Sequence, residues 1–179
     1  RKQLDLPGLV AALAKFEAGS LTGATRLKQI EVYKFWELVH KKDWARVDAL
    51  ATEWENKSLP VTLRTQVEYC RGLALEALSR PVDALNAFAN AMTADFTKSE
   101  EISRNAVHAA LRVYASMPEV AEAKDAWQSE DENPQSNGYK MLIEANSLAR
   151  LYEKAGLGAG VKLPTKEAAF LDFTPKQAN

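Results

Sequence analysis

Arg104, His108 and Arg112 follow one another at intervals of four, which sets three side chains in one stripe along a single helix face. Two guanidinium forks flanking an imidazole suit the capture of a carboxylate, because each fork can donate two parallel hydrogen bonds. The plainer reading is that Arg104, Arg112 and the later Arg150 are solvated, or paired with Glu100, Glu101 or Glu153. Cys70 and His108 have the types of a nucleophile and its base. A lone cysteine among alanines and leucines reads first, however, as a small buried thiol. The chain carries no glycine-rich phosphate loop, no helix-borne histidine pair and no cysteine cluster of zinc spacing. The acidic run Glu130-Asp131-Glu132 reads as a solvated loop, with metal binding as the second choice. The expectation is a protein without cofactor, metal or catalytic site.

Composition narrows the class of partner. A net charge of −1 over 179 residues argues against general affinity for nucleic acid or an anionic membrane surface. The apolar runs are all interrupted by polar residues, so no membrane insertion is expected. The single cysteine excludes an internal disulfide. The first residue is Arg1, so the expectation is a trimmed or processed chain, and the compartment stays open. The length suits one domain, or one segment of a larger array, with room for a sizeable core.

Periodicity then places the elements that carry these side chains. Residues 6–18 read as a first short helix, with Leu9, Val10, Leu13 and Phe16 as its apolar stripe and Gly19 as its stop. Residues 21–41 read as a longer helix, and residues 44–55 continue after the break at Lys41-Lys42-Asp43. Residues 65–92 read as two amphipathic helices around a tight turn, with Pro81 in the first turn of the second, where a missing N–H costs nothing. Gly72 and Ala84 let these helices approach, and Phe88 fills the space beside them. Thr97 or Ser99 caps a further helix running to about Ser116, and Pro118 opens the next, with Val120, Ala123 and Trp127. Residues 129–138 read as a polar loop and residues 139–155 as a helix. The glycine-rich stretch 156–164 leads to a short helix from Thr165 carrying Ala168, Phe170 and Leu171. The last segment is expected to fold back over the exposed edge of the preceding helices. Trp44, Trp54 and Trp127 are assigned to the core.

The small–small–aromatic–alanine series Gly72, Ala84, Phe88, Ala91 resembles the tetratricopeptide repeat, a helix–turn–helix unit of about 34 residues. It departs from that pattern at Glu68 and Arg71, where the family prefers a large aromatic and a leucine. The position of Ala84 is echoed on either side, since Val47 lies 37 before it and Ala123 lies 39 after it. Leu148-Ala149, Tyr152 and Gly156 fall where the family has its first-helix leucine, small residue, aromatic and turn glycine. The resemblance covers about residues 28–156. It implies an all-α, right-handed superhelical array of antiparallel helix hairpins. Residues 1–27 would be an N-terminal cap, 28–156 the hairpins and 157–179 a C-terminal cap, all in one domain.

The resemblance also implies a function. In that family the first helices of successive hairpins line a concave groove that holds an extended peptide. Mapped through Gly72, the groove here would be lined by Gln66, Tyr69 and Leu73, then Asn105, His108 and Arg112, then Asn146 and Arg150, with Trp36 and His40 offered by the first hairpin. Amides would bond the peptide backbone, arginines a carboxylate, and aromatic faces the apolar side chains. Leu73 stands where the family's clamp for C-terminal peptides has an asparagine, so chaperone binding is not carried over. The bland alternative gives Trp36 and Tyr69 to packing between hairpins. The expected function is protein or peptide binding. The alternatives are an assembly module docking through its ends or self-associating, with exposed Phe170, Leu171 and Phe173 as its signature, and an enzyme with an unrecognised site.

Overall fold

The computed structural model describes residues 24–57, 59–94, 100–154 and 156–175. The expected helix over residues 6–18, the caps at Thr97 and Ser99, and the start of the 21–41 helix lie outside the described residues. Among the described residues the chain is all-helical, with eight helices. They are α1 (Ala24–Lys41), α2 (Trp44–Trp54), α3 (Val61–Ala77), α4 (Pro81–Ala94), α5 (Glu100–Ser116), α6 (Pro118–Gln128), α7 (Asn137–Glu153) and the single-turn α8 (Thr165–Ala168). The chain divides into two compact units, Arg1–Ser58 and Leu59–Asn179.

In the first unit α1 and α2 pack on one another. His40 and Lys41 occupy the last turn of α1, where cations complement the helix dipole. Lys42 then adopts a left-handed conformation (φ 55°), and the amides of Lys42 and Asp43 return to the carbonyls of Val39 and Leu38. This satisfies carbonyls that the helix end would otherwise strand. Phe35, Val47, Ala51 and Trp54 are buried, and the Phe35 and Trp54 rings lie 5.4 Å apart. Trp54 is thus a core residue, as expected, while Trp44 is half-buried.

In the second unit α3 and α4 form the expected hairpin. Ser79 takes the left-handed conformation at its turn (φ 58°), and Pro81 opens α4. The helices run antiparallel: Asn90 donates to Glu68, and a Cβ on Gly72 would overlap the Phe88 ring. Nothing larger than glycine fits there without moving a side chain that is fully buried. α5 packs on α4 and touches α3, and its last turns meet those of α3 through Arg112 and Glu76.

The next pairing corrects the sequence reading. Spacing pairs α5 with α6 as a hairpin, but α6 packs mainly on α7, and the helix laid along α5 is α7. Tyr114, late in α5, donates from its hydroxyl to Glu144, midway along α7, at 2.6 Å. His108, earlier in α5, lies beside Tyr152, late in α7. The two helices are therefore antiparallel. The cause is apolar surface. α6 buries only Val120, whereas α7 buries Tyr139, Leu142, Ala145, Ala149 and Tyr152. Each large apolar side chain contributes about 1.5–3 kcal/mol when removed from water. Gly138 belongs to the first turn of α7 and not to the loop, and its lack of a side chain lets α7 approach the Glu119 carbonyl oxygen, which a Cβ would overlap. Ser136 caps α7, its hydroxyl accepting from the Tyr139 amide.

Residues 156–173 fold back on this pair, the course expected of the tail. Leu157, Leu163, Phe170 and Phe173 are all buried. Phe173 stands edge-on to both Trp127 and Tyr139, and α8 packs on α5. Burial of Phe170 and Phe173 removes the exposed aromatic signature on which the assembly alternative rested.

Candidate functional site

The face shared by α3 and α5 brings Tyr69 and Arg112 together with Glu76. Arg112 donates from Nε and Nη2 to the two carboxylate oxygens of Glu76, at 2.8 and 2.6 Å. This fork-to-carboxylate pair crosses between the helices and stays partly exposed. Tyr69 lies close enough to interact electrostatically with Arg112 and Glu76, and its ring packs 6.0 Å from that of Phe88. Tyr69 is therefore half packing residue and half surface. Desolvation raises the pKa of its hydroxyl above the ordinary range. Arg112 is likewise raised, first by its hydrogen bonds to Glu76 and last by the nearby Glu167 carboxylate. Gln66 and Leu73 are half-buried on α3, and Asn105 is exposed on α5.

His108 is half-buried, its ring 6.2 Å from that of Tyr152. Arg104 completes the stripe with its Nε shut off from solvent and without a hydrogen-bond partner. Cys70 is 6 % exposed, and burial pushes its thiol up to about 12. It stays protonated at neutral pH, which removes the nucleophile that the Cys70–His108 pairing requires.

The α7 residues have a different job from the one expected. Asn146 is 3 % exposed. Its side-chain amide donates to the carbonyl oxygens of Phe170 and Phe173, at 2.6 and 2.9 Å, and its Oδ1 accepts from Arg150 Nε at 3.0 Å. An amide does read backbone carbonyls here, but the backbone belongs to the chain's own tail. Asn146 is therefore not an open groove contact, and Arg150 is oriented by it. Farther along, Glu153 accepts from the Leu163 amide at 3.0 Å, and the Gly158 amide donates to the Tyr152 carbonyl at 2.7 Å. The tail thus runs along α7 from its last turn toward its first, held by side chains rather than by strand or helix pairing.

Trp36 belongs to the first unit, half-buried and edge-on to Phe35 at 5.4 Å, and His40 is exposed. The structure brings together Tyr69 and Arg112, and separately His108 with Tyr152 and Asn146 with Arg150. Sequence reasoning missed Glu76 as the partner of Arg112, and the buried Tyr152 and Glu167 beside His108 and Arg112. A signal for Glu76 was present: it precedes Arg112 by 36 residues, close to the length of the repeat that the sequence resembles.

On the opposite side of α5, an apolar groove of about 310 Å³ lies between α4 and α7, lined by Leu85, Met92, Ile143 and Leu148, with Tyr114 and Glu144 among its polar members. Among the described residues no group of three His, Cys, Asp or Glu side chains could hold a metal ion. No described helix is long and apolar enough to cross a membrane. No protein-family model, characterised protein or solved structure matches the chain.

Proposed function

We propose that this chain is a protein-interaction module, a divergent tetratricopeptide-like array that holds a partner's segment on the face shared by α3 and α5. The observation that carries the reading is the Arg112–Glu76 pair between two first helices, flanked by Tyr69. A guanidinium held at the surface by one carboxylate still has donors to offer a second one. The half-exposed Gln66 and exposed Asn105 supply amides for a bound backbone, and Tyr69 supplies an apolar face. Fold analogy alone is a weak warrant for function; the chemistry of this face supports the reading independently of it.

The test is selection from a displayed peptide library on the wild-type chain and on Arg112→Glu. The pair is exposed, so its loss alone costs at most about 1 kcal/mol of stability, and circular dichroism checks that the variant is folded. Peptides enriched by the wild type and lost by Arg112→Glu support the reading; peptides retained by both refute it.

A second reading, assembly through the back of the array, rests on the apolar groove between α4 and α7. Sedimentation of Leu85→Glu beside wild type tests it, because a self-associating surface would lose its association constant by at least about tenfold, the equivalent of one buried apolar side chain.

A further inference from the structure

We propose that residues 163–173 act as a ligand in cis, and that the partner recognised by this protein presents the same chemistry: a leucine, then a glutamate, then two phenylalanines, at the spacing Leu163, Glu167, Phe170, Phe173. The inference rests on the reading of the chain as an interaction module and names the partner's class, an acidic and diaromatic peptide segment.

Four observations support it. The tail's own secondary structure is short, the four residues of α8 followed by hydrogen-bonded turns to Phe173. Its backbone is also held by side chains of α7, through Asn146 on two carbonyls and Glu153 on an amide. Second, the tail's apolar side chains are buried against the helices, continuous with the main core, with Phe173 edge-on to Trp127 and Tyr139. Third, its one buried carboxylate, Glu167, lies near the Arg112 that carries the proposed binding face. Charge complementarity therefore joins the tail's seat to the open surface. Fourth, the connection from α7 turns through left-handed residues. Gly156 and Gly160 have φ of 79° and 82°, and a Cβ at either would meet nothing within 4 Å. Ala159 sits at φ 50°, a conformation that costs an alanine energy and that release of the tail would relax.

A tethered segment competes with an external copy of the same chemistry. The link confers an effective concentration on the order of millimolar. The intact chain therefore admits only ligands that outcompete its own tail, which makes the tail a threshold on partner binding.

The experiment uses the full chain with a site-specific protease sequence inserted after Gly160, where nothing crowds the backbone. The probe is a synthetic peptide of residues 161–175 with a fluorophore at its N-terminus, followed by anisotropy before and after cleavage. The expected result is that the cleaved chain keeps its helical circular dichroism and takes up the probe at least about 100-fold more tightly than the uncleaved chain. A probe with Phe170→Ala and Phe173→Ala should bind at least about tenfold more weakly, and so should the natural probe to a cleaved Asn146→Ala chain. Three results would overturn the proposal: loss of helical signal on cleavage, which makes the tail a strut of the core; a folded cleaved chain that does not exchange the probe; or equal uptake of the natural and alanine probes. If the displayed library yields Arg112-dependent peptides of some other chemistry, the interaction reading stands and this inference falls.

Discussion

Replacing Asn146 by alanine should detach the tail from α7, and the size of the effect follows from which carbonyls it strands. The side-chain amide is the donor for Phe170 O and Phe173 O. Phe170 O keeps one other partner, the Phe173 amide at 3.3 Å, so its loss is about 1 kcal/mol. Among the described residues Phe173 O has no second backbone donor, and a buried acceptor left unmade costs about 1–3 kcal/mol. The Arg150 fork is exposed and turns to water at little cost. The sum is about 2–4 kcal/mol, or a melting temperature lower by roughly 6–12 °C for a domain of this size. The loss has a ceiling, because once it exceeds the tail's docking energy the tail leaves and water satisfies both carbonyls. The assay is urea unfolding followed by circular dichroism, run as a double-mutant cycle with Phe173→Ala. Residues in one network are not additive, so the two changes together should cost less than their sum by about 1 kcal/mol or more. An Asn146→Ala chain that melts within about 1 °C of wild type would refute the reasoning, and so would strict additivity with Phe173→Ala.

Two further outcomes are expected. Gly72→Ala drives a methyl into the Phe88 ring and should destabilise by about 1–3 kcal/mol, despite alanine's better helix propensity; Phe88→Leu in the same chain should recover part of the loss in thermal melts. For Cys70, the folded thiol titrates at about 12 against 9.0 for an unperturbed one. The folded state therefore holds its proton through a window in which the unfolded state loses it. Stability is unaffected below the unfolded value of 9.0 and falls as pH rises toward about 12, by up to about 1.4 kcal/mol per pH unit from this group. Cys70→Ala should show a correspondingly shallower alkaline loss in unfolding titrations, and the native thiol should resist a thiol reagent at about pH 8.

Much of the helical framework was legible because its signals are local. Pro81 at the first turn of α4, the polar break before α7 and the apolar stripes of α3 and α5 each depend on residues within one or two turns. The Gly72–Phe88 contact was legible too, because a glycine opposite an aromatic across a tight hairpin has few other uses. The failures came where a local echo met a global competition. Ala123 and Trp127 repeat the spacing of Ala84 and Phe88, yet Ala123 lies against Gly138 and Trp127 against Phe173. Spacing says which face of α6 is apolar and nothing about whether α7 offers α5 a larger one. The same holds for the site. Asn146 has the right type to bond a backbone, but which backbone depends on the path of the tail, and the four helical residues of α8 carry no periodicity that would reveal it.

The displacement of α6 from α5 has a consequence for how this protein can vary. α5 and α7 pair directly, so residues 117–136 form a detour that the pairing does not require. That detour nevertheless supplies Trp127, one wall of the Phe173 seat. Substitutions in α6 therefore adjust how firmly the distal aromatic is gripped while leaving the helices that carry Arg112 and Asn146 in register. Lineages could retune the grip by substitutions within this stretch away from the buried Met117 and Val120, much as a set screw alters tension without redrawing the frame.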